Sequence, residues 1–294
     1  MCTILKYKNM IGRNFDYELS YKEEIITIKR WEYGNAYSII GVCTGVVSDY
    51  PLMYDGMNEC GLVCGGLAFK GNAYYIESDD SNPFEDIPMH PYNFVFEILG
   101  RFKDVKSVRK WLKNVIIVDE QYSDEMPNTD LHWFIADKND AIVIEQTEDG
   151  LNIYDAETSV MTNNPPYPMQ IDNYNTEKDY IGCCVEYNSE KWFTRGMETD
   201  NLQGGYTSEE RFIRASYLLK MVDGCGSPFN DVTETFHLLG SVEQIYGATP
   251  VNDSFEYTIY SVVYDIERGV MWIKTYDKIC PNNYMITDSE RIPL

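Results

Sequence analysis

Met1-Cys2-Thr3-Ile4-Leu5-Lys6-Tyr7-Lys8-Asn9-Met10-Ile11-Gly12-Arg13-Asn14-Phe15-Asp16-Tyr17 opens the chain. Two apolar runs, Cys2–Lys8 and Met10–Tyr17, flank a break at Lys8-Asn9, so the stretch predicts a β-hairpin. If the runs pair, Gly12–Tyr17 lies opposite Cys2. Arg13 and Asp16 are an odd number of positions apart, so a regular strand turns them to opposite faces; by residue type alone they read as a surface ion pair. Cys2 follows the initiator methionine, and a small second residue permits Met removal. That would leave a thiol and a free α-amine on one residue. An α-amine, with a reference pKa of roughly 7.7–8.0, is partly unprotonated near neutral pH. It can therefore accept the thiol proton and serve as a built-in base. By position alone, a second-position cysteine more often has no such role.

Outward from the hairpin, Glu24–Lys29, Tyr37–Val47 and the glycine-rich Gly61–Phe69 predict further strands, the last approached closely by other backbone. The acidic Glu77–Pro88 predicts a loop. Apolar spacing of three to four predicts helices over Tyr92–Phe102 and Val105–Val115. Strands resume at Leu131–Asp137, Ala141–Gln146 and Leu151–Tyr154. Residues 163–207 read as turn-rich, and Ser208 is the expected cap of a helix running to Val222. Val232–Leu239 predicts a helix; Tyr257–Tyr264 and Val270–Tyr276 predict closing strands. Runs of strands and helices in blocks point to a layered α+β fold rather than βαβ alternation. With 294 residues, 44% of them hydrophobic, a single domain over residues 1–294 is expected.

Composition excludes several functions. Forty-seven acidic residues against 24 basic give a formal charge of −23. Such a surface repels phosphate backbones and anionic lipid, so neither nucleic acid nor a membrane surface is an expected partner. An anionic substrate would need local cations. There is no apolar run of membrane-spanning length and no charged leader followed by an apolar stretch. The eight cysteines lack a disulfide-scaffold rhythm and read as reduced thiols, so a cytoplasmic setting is expected. Three histidines without a His-Glu-x-x-His pattern argue against a metal site, and His90, His132 and His237 read as structural. Asp79–Asp86 lacks the ligand spacing of a calcium loop.

Further segments follow in order: Asp55-Gly56-Met57-Asn58-Glu59-Cys60-Gly61-Leu62, Pro127-Asn128-Thr129-Asp130-Leu131-His132-Trp133, Ile142-Val143-Ile144-Glu145-Gln146-Thr147, Met161-Thr162-Asn163-Asn164-Pro165, Tyr206-Thr207-Ser208-Glu209-Glu210-Arg211-Phe212 and Tyr257-Thr258-Ile259-Tyr260-Ser261. Together with Met1-Cys2-Thr3 they resemble the choloylglycine hydrolases, the N-terminal-nucleophile family of bile salt hydrolases and penicillin V acylases. The resemblance covers nearly the whole chain. It implies a four-layer αββα sandwich of two mainly antiparallel sheets, exposure of Cys2 by Met removal, hydrolysis of a linear amide, no cofactor, and a homotetramer.

The resemblance also implies roles. Cys2 is the nucleophile. Arg13 matches the arginine beside the thiol, where a fixed cation favours thiolate. Asp16 matches the aspartate that holds the α-amine. Asn163 matches the asparagine whose side-chain N–H meets the oxyanion, with the Ala68 backbone N–H as second donor. Arg211 matches a second active-site arginine, and Asn58 reads as a structural turn residue. Ala68 departs from the Asn of bile salt hydrolases and the Tyr of penicillin V acylases, which removes a side-chain clue to substrate. Gln203-Gly204-Gly205 stands where Leu-Pro-Gly is common. Phe15, Val47, Tyr54, Tyr122 and Met126 align with residues lining an acyl cavity suited to a small amphipathic amide; by type alone they read as core. Bile salt deconjugation is the leading expectation. The alternatives are penicillin V or another N-acyl amide such as an acyl-homoserine lactone, or a non-catalytic relative that binds amphiphiles.

Overall fold

The structure, a computed structural model, describes residues 1–45, 51–77, 87–123, 127–182, 196–287 and 292–294. Its first strands are β1 (Cys2–Tyr7), β2 (Met10–Tyr17), β3 (Glu24–Ile28), β4 (Ile39–Cys43), β5 (Met53–Asn58), β6 (Val63–Ala68) and β7 (Ile87–Met89). Helices α1 (Phe94–Arg101) and α2 (Val105–Leu112) follow, then β8 (Val115–Ile117), β9 (Leu131–Ala136), β10 (Ala141–Thr147), β11 (Gly150–Asp155) and β12 (Val160–Met161). The remainder is α3 (Tyr167–Glu177), α4 (Ser208–Cys225), α5 (Asp231–Gly240), β13 (Thr249–Val251), β14 (Ser254–Asp265), β15 (Val270–Thr275), β16 (Asn282–Met285) and β17 (Ile292–Pro293).

One sheet runs β12-β1-β2-β14-β15-β16, with β13 paired to β14; the other runs β11-β10-β9-β6-β5-β4-β3-β17. Pairing within both is antiparallel. Helices α4 and α5 cover the first sheet, and α1 lies on β5 and β6 of the second. The order of layers is thus helix, sheet, sheet, helix, the αββα sandwich that the family resemblance implies. Sheet faces alternate as the pleat requires. In β9, Phe134 and Ala136 enter the core between the sheets, while Trp133 and Ile135 pack under α1 and α2. A strand buried on both faces reads as a near-continuous apolar run, and β9 does so from Trp133 to Ala136.

Some expectations change. The turn-rich reading of 163–207 misses α3, which starts behind Pro166 with no capping side chain and little amphipathic contrast. Thr207, not Ser208, caps α4: its hydroxyl accepts from Glu210 N, and the Glu210 carboxylate accepts from Thr207 N, a capping box. Ile87 and Pro88, read as loop, join β7, which pairs in parallel with β8, and Val115 belongs to β8 rather than to a helix. Backbone approaches the glycine-rich run at Gly61, where a Cβ would lie 2.9 Å from Ile266 O, whereas at Gly65 and Gly66 it would first meet the side chains of Ile4 and Trp133. Asn58 ends β5 with its amide donating to Leu99 O and Phe102 O, which ties α1 to the β5–β6 turn. Among the described residues no helix is long and apolar enough to cross a membrane. Asp79–Asp86, Cys183 and Cys184 lie outside them.

Candidate active site

The β1–β2 hairpin sets the register. Its two-residue loop, Lys8-Asn9, closes at the Tyr7–Met10 pair, which places Phe15 opposite Cys2 and Arg13 opposite Ile4. Cross-strand partners share a face. Cys2, Phe15 and Arg13 therefore all point toward the second sheet, and Arg13 reaches it. Its Nη1 donates to Asp55 Oδ2 at 2.5 Å and to Tyr54 O at 2.7 Å, and its Nη2 to Gly66 O at 2.7 Å. Nη2 also lies 3.5 Å from Cys2 Sγ. The pair is sealed from solvent, with Arg13 and Asp55 at 1% and 0% exposure. Asp55 also accepts the hydroxyls of Tyr260, at 2.6 Å, and Tyr264. Burial opposes the Arg13 charge, but Tyr260, Cys2 and Asp55 outweigh it and its pKa is raised. Burial, with Asp55 adding, holds both tyrosines neutral.

Asn163 follows β12, on the other edge of β1. Its Oδ1 accepts from Cys2 N at 2.8 Å and from Arg211 Nη2 at 2.8 Å, while its Nδ2 donates to Ala68 O at 2.8 Å. Two donors on one side fix which atom is oxygen. In an extended strand a residue's N–H and C=O point the same way. Phe69 N donates to Asp130 O on the β9 side, so Ala68 turns its N–H and C=O away from β9, toward Asn163. The Asn163 backbone is held as well, N by Ser208 Oγ and O by Gln170 Nε2. Behind it, His132 bridges Glu145 Oε1 and Thr162 O at 3.0 Å each, and Glu145 accepts Tyr167 N at the start of α3. The structural reading of His132 fits these contacts.

Arg211 sits in the first turn of α4, fully buried. Nη1 donates to Cys2 O at 2.6 Å and Thr3 Oγ1 at 2.7 Å, and Nε donates to Tyr206 O at 3.0 Å. Burial pulls its pKa down, against Asp16, Cys2 and Glu256, which raise it.

Asp16 goes to the opposite face from Arg13, as alternation requires. Its Oδ1 accepts from Thr258 Oγ1 at 2.6 Å and its Oδ2 from Gln244 Nε2 at 3.0 Å. The Asp16 carboxylate, expected to hold the terminal amine, accepts instead from Thr258 and Gln244 with Met1 in place. Its backbone pairs with Met1, N to Met1 O at 2.9 Å and O from the Met1 ammonium at 2.7 Å. The ammonium forms its ion pair with Glu256, which the sequence reading missed. Asp55, Tyr264, Gln244 and Glu145 also carry no assigned role in that reading. Asp55 and Glu145 lie inside the segments quoted above, but only the fold reveals what they touch.

Of the acyl-cavity residues, Phe15 and Tyr54 meet, with ring centroids 4.9 Å apart, and Phe15 stacks on Tyr260 at 5.1 Å. Tyr17 and Tyr21 continue this aromatic row outward from Cys2. Tyr122 instead packs edge-on against Tyr92, which stacks on His90. Val47 and Met126 lie outside the described residues. Among the described residues, no group of three or more His, Cys, Asp or Glu is placed to hold a metal ion.

Known proteins match this arrangement. Residues 2–290 match the family model of linear amide C-N hydrolases, choloylglycine hydrolase family. The bile salt hydrolase/transferase of Lactiplantibacillus plantarum is 38% identical, the alignment covering 94% of this chain and 90% of the relative. That of Clostridium perfringens is 33% identical with the same coverage. Among solved structures, a variant of the conjugated bile acid hydrolase from Clostridium perfringens superposes with a TM-score of 0.87 at 29% identity, covering 100% of this chain and 96% of that one. The penicillin V acylase from Agrobacterium tumefaciens shares the fold, with a TM-score of 0.71 at 19% identity over 96% of this chain and 84% of its own. The chain belongs to the choloylglycine hydrolase family of linear amide C-N hydrolases.

Proposed function

We propose that this chain, acting as a single domain, deconjugates bile salts with Cys2 as its nucleophile once Met1 is removed. The observation that carries the reading is the approach of Arg13 Nη2 to within 3.5 Å of Cys2 Sγ, beside Asn163 and Arg211. The Cys2 α-amine takes the thiol proton, and Sγ attacks the amide carbonyl. Arg13 stabilises the sulfur charge as it forms, and its ion pair with Asp55 holds it in place. Asn163 Nδ2 and the Ala68 N–H supply donors for the oxyanion. Collapse expels the amine, which takes the proton back from the Cys2 ammonium, and leaves a thioester. Water then attacks the thioester, releasing the carboxylic acid and restoring the thiol. Arg211 holds the Cys2 carbonyl and Asn163 in register. Asp16 steadies the strand next to the amine.

The row of Phe15, Tyr54 and Tyr17 offers an apolar wall to the acyl group, which suits a steroid body. An aryl acyl group would use the same wall, and this favours penicillin V or another N-acyl amide as the second substrate reading. We place the enzyme in the cytoplasm as a homotetramer; Cys2, Cys60, Cys64, Cys225 and Cys280 are free thiols, as a reducing compartment would leave them.

Intact-mass measurement and a hydrolysis screen on glycocholate, taurocholate and penicillin V test the proposal, with Cys2→Ser as control. The expected result is a mature mass lacking Met1, cleavage of the bile conjugates and a silent Cys2→Ser variant. Retained Met1, or full turnover by Cys2→Ser, overturns it and leaves an amphiphile-binding relative as the reading.

A further inference from the structure

We propose that Glu256 is a positioning residue for the amino terminus: it holds the Met1 ammonium in the unprocessed chain and, after Met1 is excised, holds the Cys2 α-amine in the state that exchanges a proton with the thiol. This rests on the N-terminal-cysteine mechanism above. Met1 extends the β1–β2 ladder by one pair, opposite Asp16, and its ammonium meets Glu256. Glu256 is 5% exposed, and Gln244 Nε2 bridges it to Asp16, donating to Glu256 Oε1 at 3.1 Å and Asp16 Oδ2 at 3.0 Å. Excision moves the terminal nitrogen inward by one residue, about 3.3 Å of strand. A buried carboxylate then loses its ion pair, and the new ammonium lies one residue away.

A bulge brings Glu256 to this place. Phe15 pairs with Tyr260 and Asp16 with Thr258, so Ile259 is an extra residue on β14. Tyr260 faces the core between the sheets. The extra residue turns Thr258, and with it Glu256 two positions earlier, to the Asp16 face.

The charged and titratable groups around the amine come from four elements. β1 gives the Cys2 thiol. β2 gives Arg13, already paired with Asp55 of β5, Asp16, whose oxygens serve Thr258 and Gln244, and Tyr17. The Tyr17 hydroxyl is pushed up to about 12 by burial first, with Glu256 among the lesser causes, and so stays neutral. α4 gives Arg211, whose hydrogen bonds go to Cys2 O, Thr3, Asn163 and Tyr206. β14 gives Glu256. Two guanidiniums flank Cys2, Arg13 at its sulfur and Arg211 at its carbonyl. Glu256 supplies the opposing charge.

Glu256→Gln and Glu256→Asp, made in the full chain, test this. Intact mass reports Met1 excision and thermal melting reports folding. kcat/KM against pH is measured on the best amide substrate. Cys2 alkylation by iodoacetamide, followed by peptide mapping, gives a second profile that needs no turnover. In Glu256→Gln the first proton should leave the coupled thiol–ammonium pair more readily. The acid limb of both profiles is expected to move down by about one pH unit, and the plateau to fall roughly tenfold. Glu256→Asp should fall between wild type and Glu256→Gln. If Glu256→Gln does not fold, Glu256→Asp alone decides: a smaller downward step supports the proposal, an unmoved limb overturns it. Limbs that superimpose on wild type, or a uniform loss at every pH, likewise overturn it. Met1 retained in the wild type would refute the underlying mechanism instead, and absent amide turnover with a shifting alkylation limb would refute only the substrate reading.

Discussion

Replacing Asp55 by Asn tests the ion pair that holds Arg13 against Cys2. Asp55 has no exposed surface and accepts from Arg13, Tyr260 and Tyr264. The amide is isosteric, so no cavity forms and the effect is electrostatic. Arg13, at 1% exposure, becomes a buried cation without its partner. An amide N–H now turns toward either the guanidinium or a tyrosine hydroxyl. Breaking one side of a buried pair costs about 3–5 kcal/mol. For 294 residues the unfolding entropy is roughly 0.6 kcal/mol/K, so Tm should fall by about 5–8 °C. Calorimetry on the mature protein measures this, and kcat/KM measured alongside should drop more than tenfold as the guanidinium loses its anchor. A Tm change within about 1 °C would show that the carbonyls of Tyr54 and Gly66 compensate the charge unaided, and the argument for Asp55 would fail.

Asn163→Ala removes the acceptor of Cys2 N and Arg211 Nη2 as well as the donor proposed for the oxyanion; kcat should fall about 100- to 1000-fold with KM little changed, and steady-state kinetics with a KM increase instead would assign Asn163 to substrate binding. Thr207→Ala breaks the capping box of α4; the expected cost is about 1 kcal/mol, or a Tm lower by about 1–2 °C, and differential scanning fluorimetry showing no change would mean the first turn is held by tertiary packing alone.

Local signals made the site's endpoints legible. The hairpin around Lys8-Asn9 fixes Phe15 opposite Cys2, because a two-residue loop leaves one register. The same alternation separates Arg13 from Asp16, and the structure keeps them apart: one guards the sulfur, the other meets Thr258 and Gln244. The family segments carry Asn163 and Arg211 to the same strand end. The helix α3 was not legible, since a Pro-rich start and a weak apolar stripe hide a helix that packing on α4 stabilises.

By itself, then, the sequence determined the hairpin that carries Cys2, the layered α+β class and the family. Those features live in neighbouring residues, or in motifs that keep their spacing. Only the tertiary structure decided which charges meet. Asp55 binds Arg13 across two sheets, and Glu256 reaches the terminus from 255 residues away, through one extra residue in β14. A carboxylate's partner is set by where distant strands cross, and strand pairing between remote segments leaves no periodicity for a local reading to find.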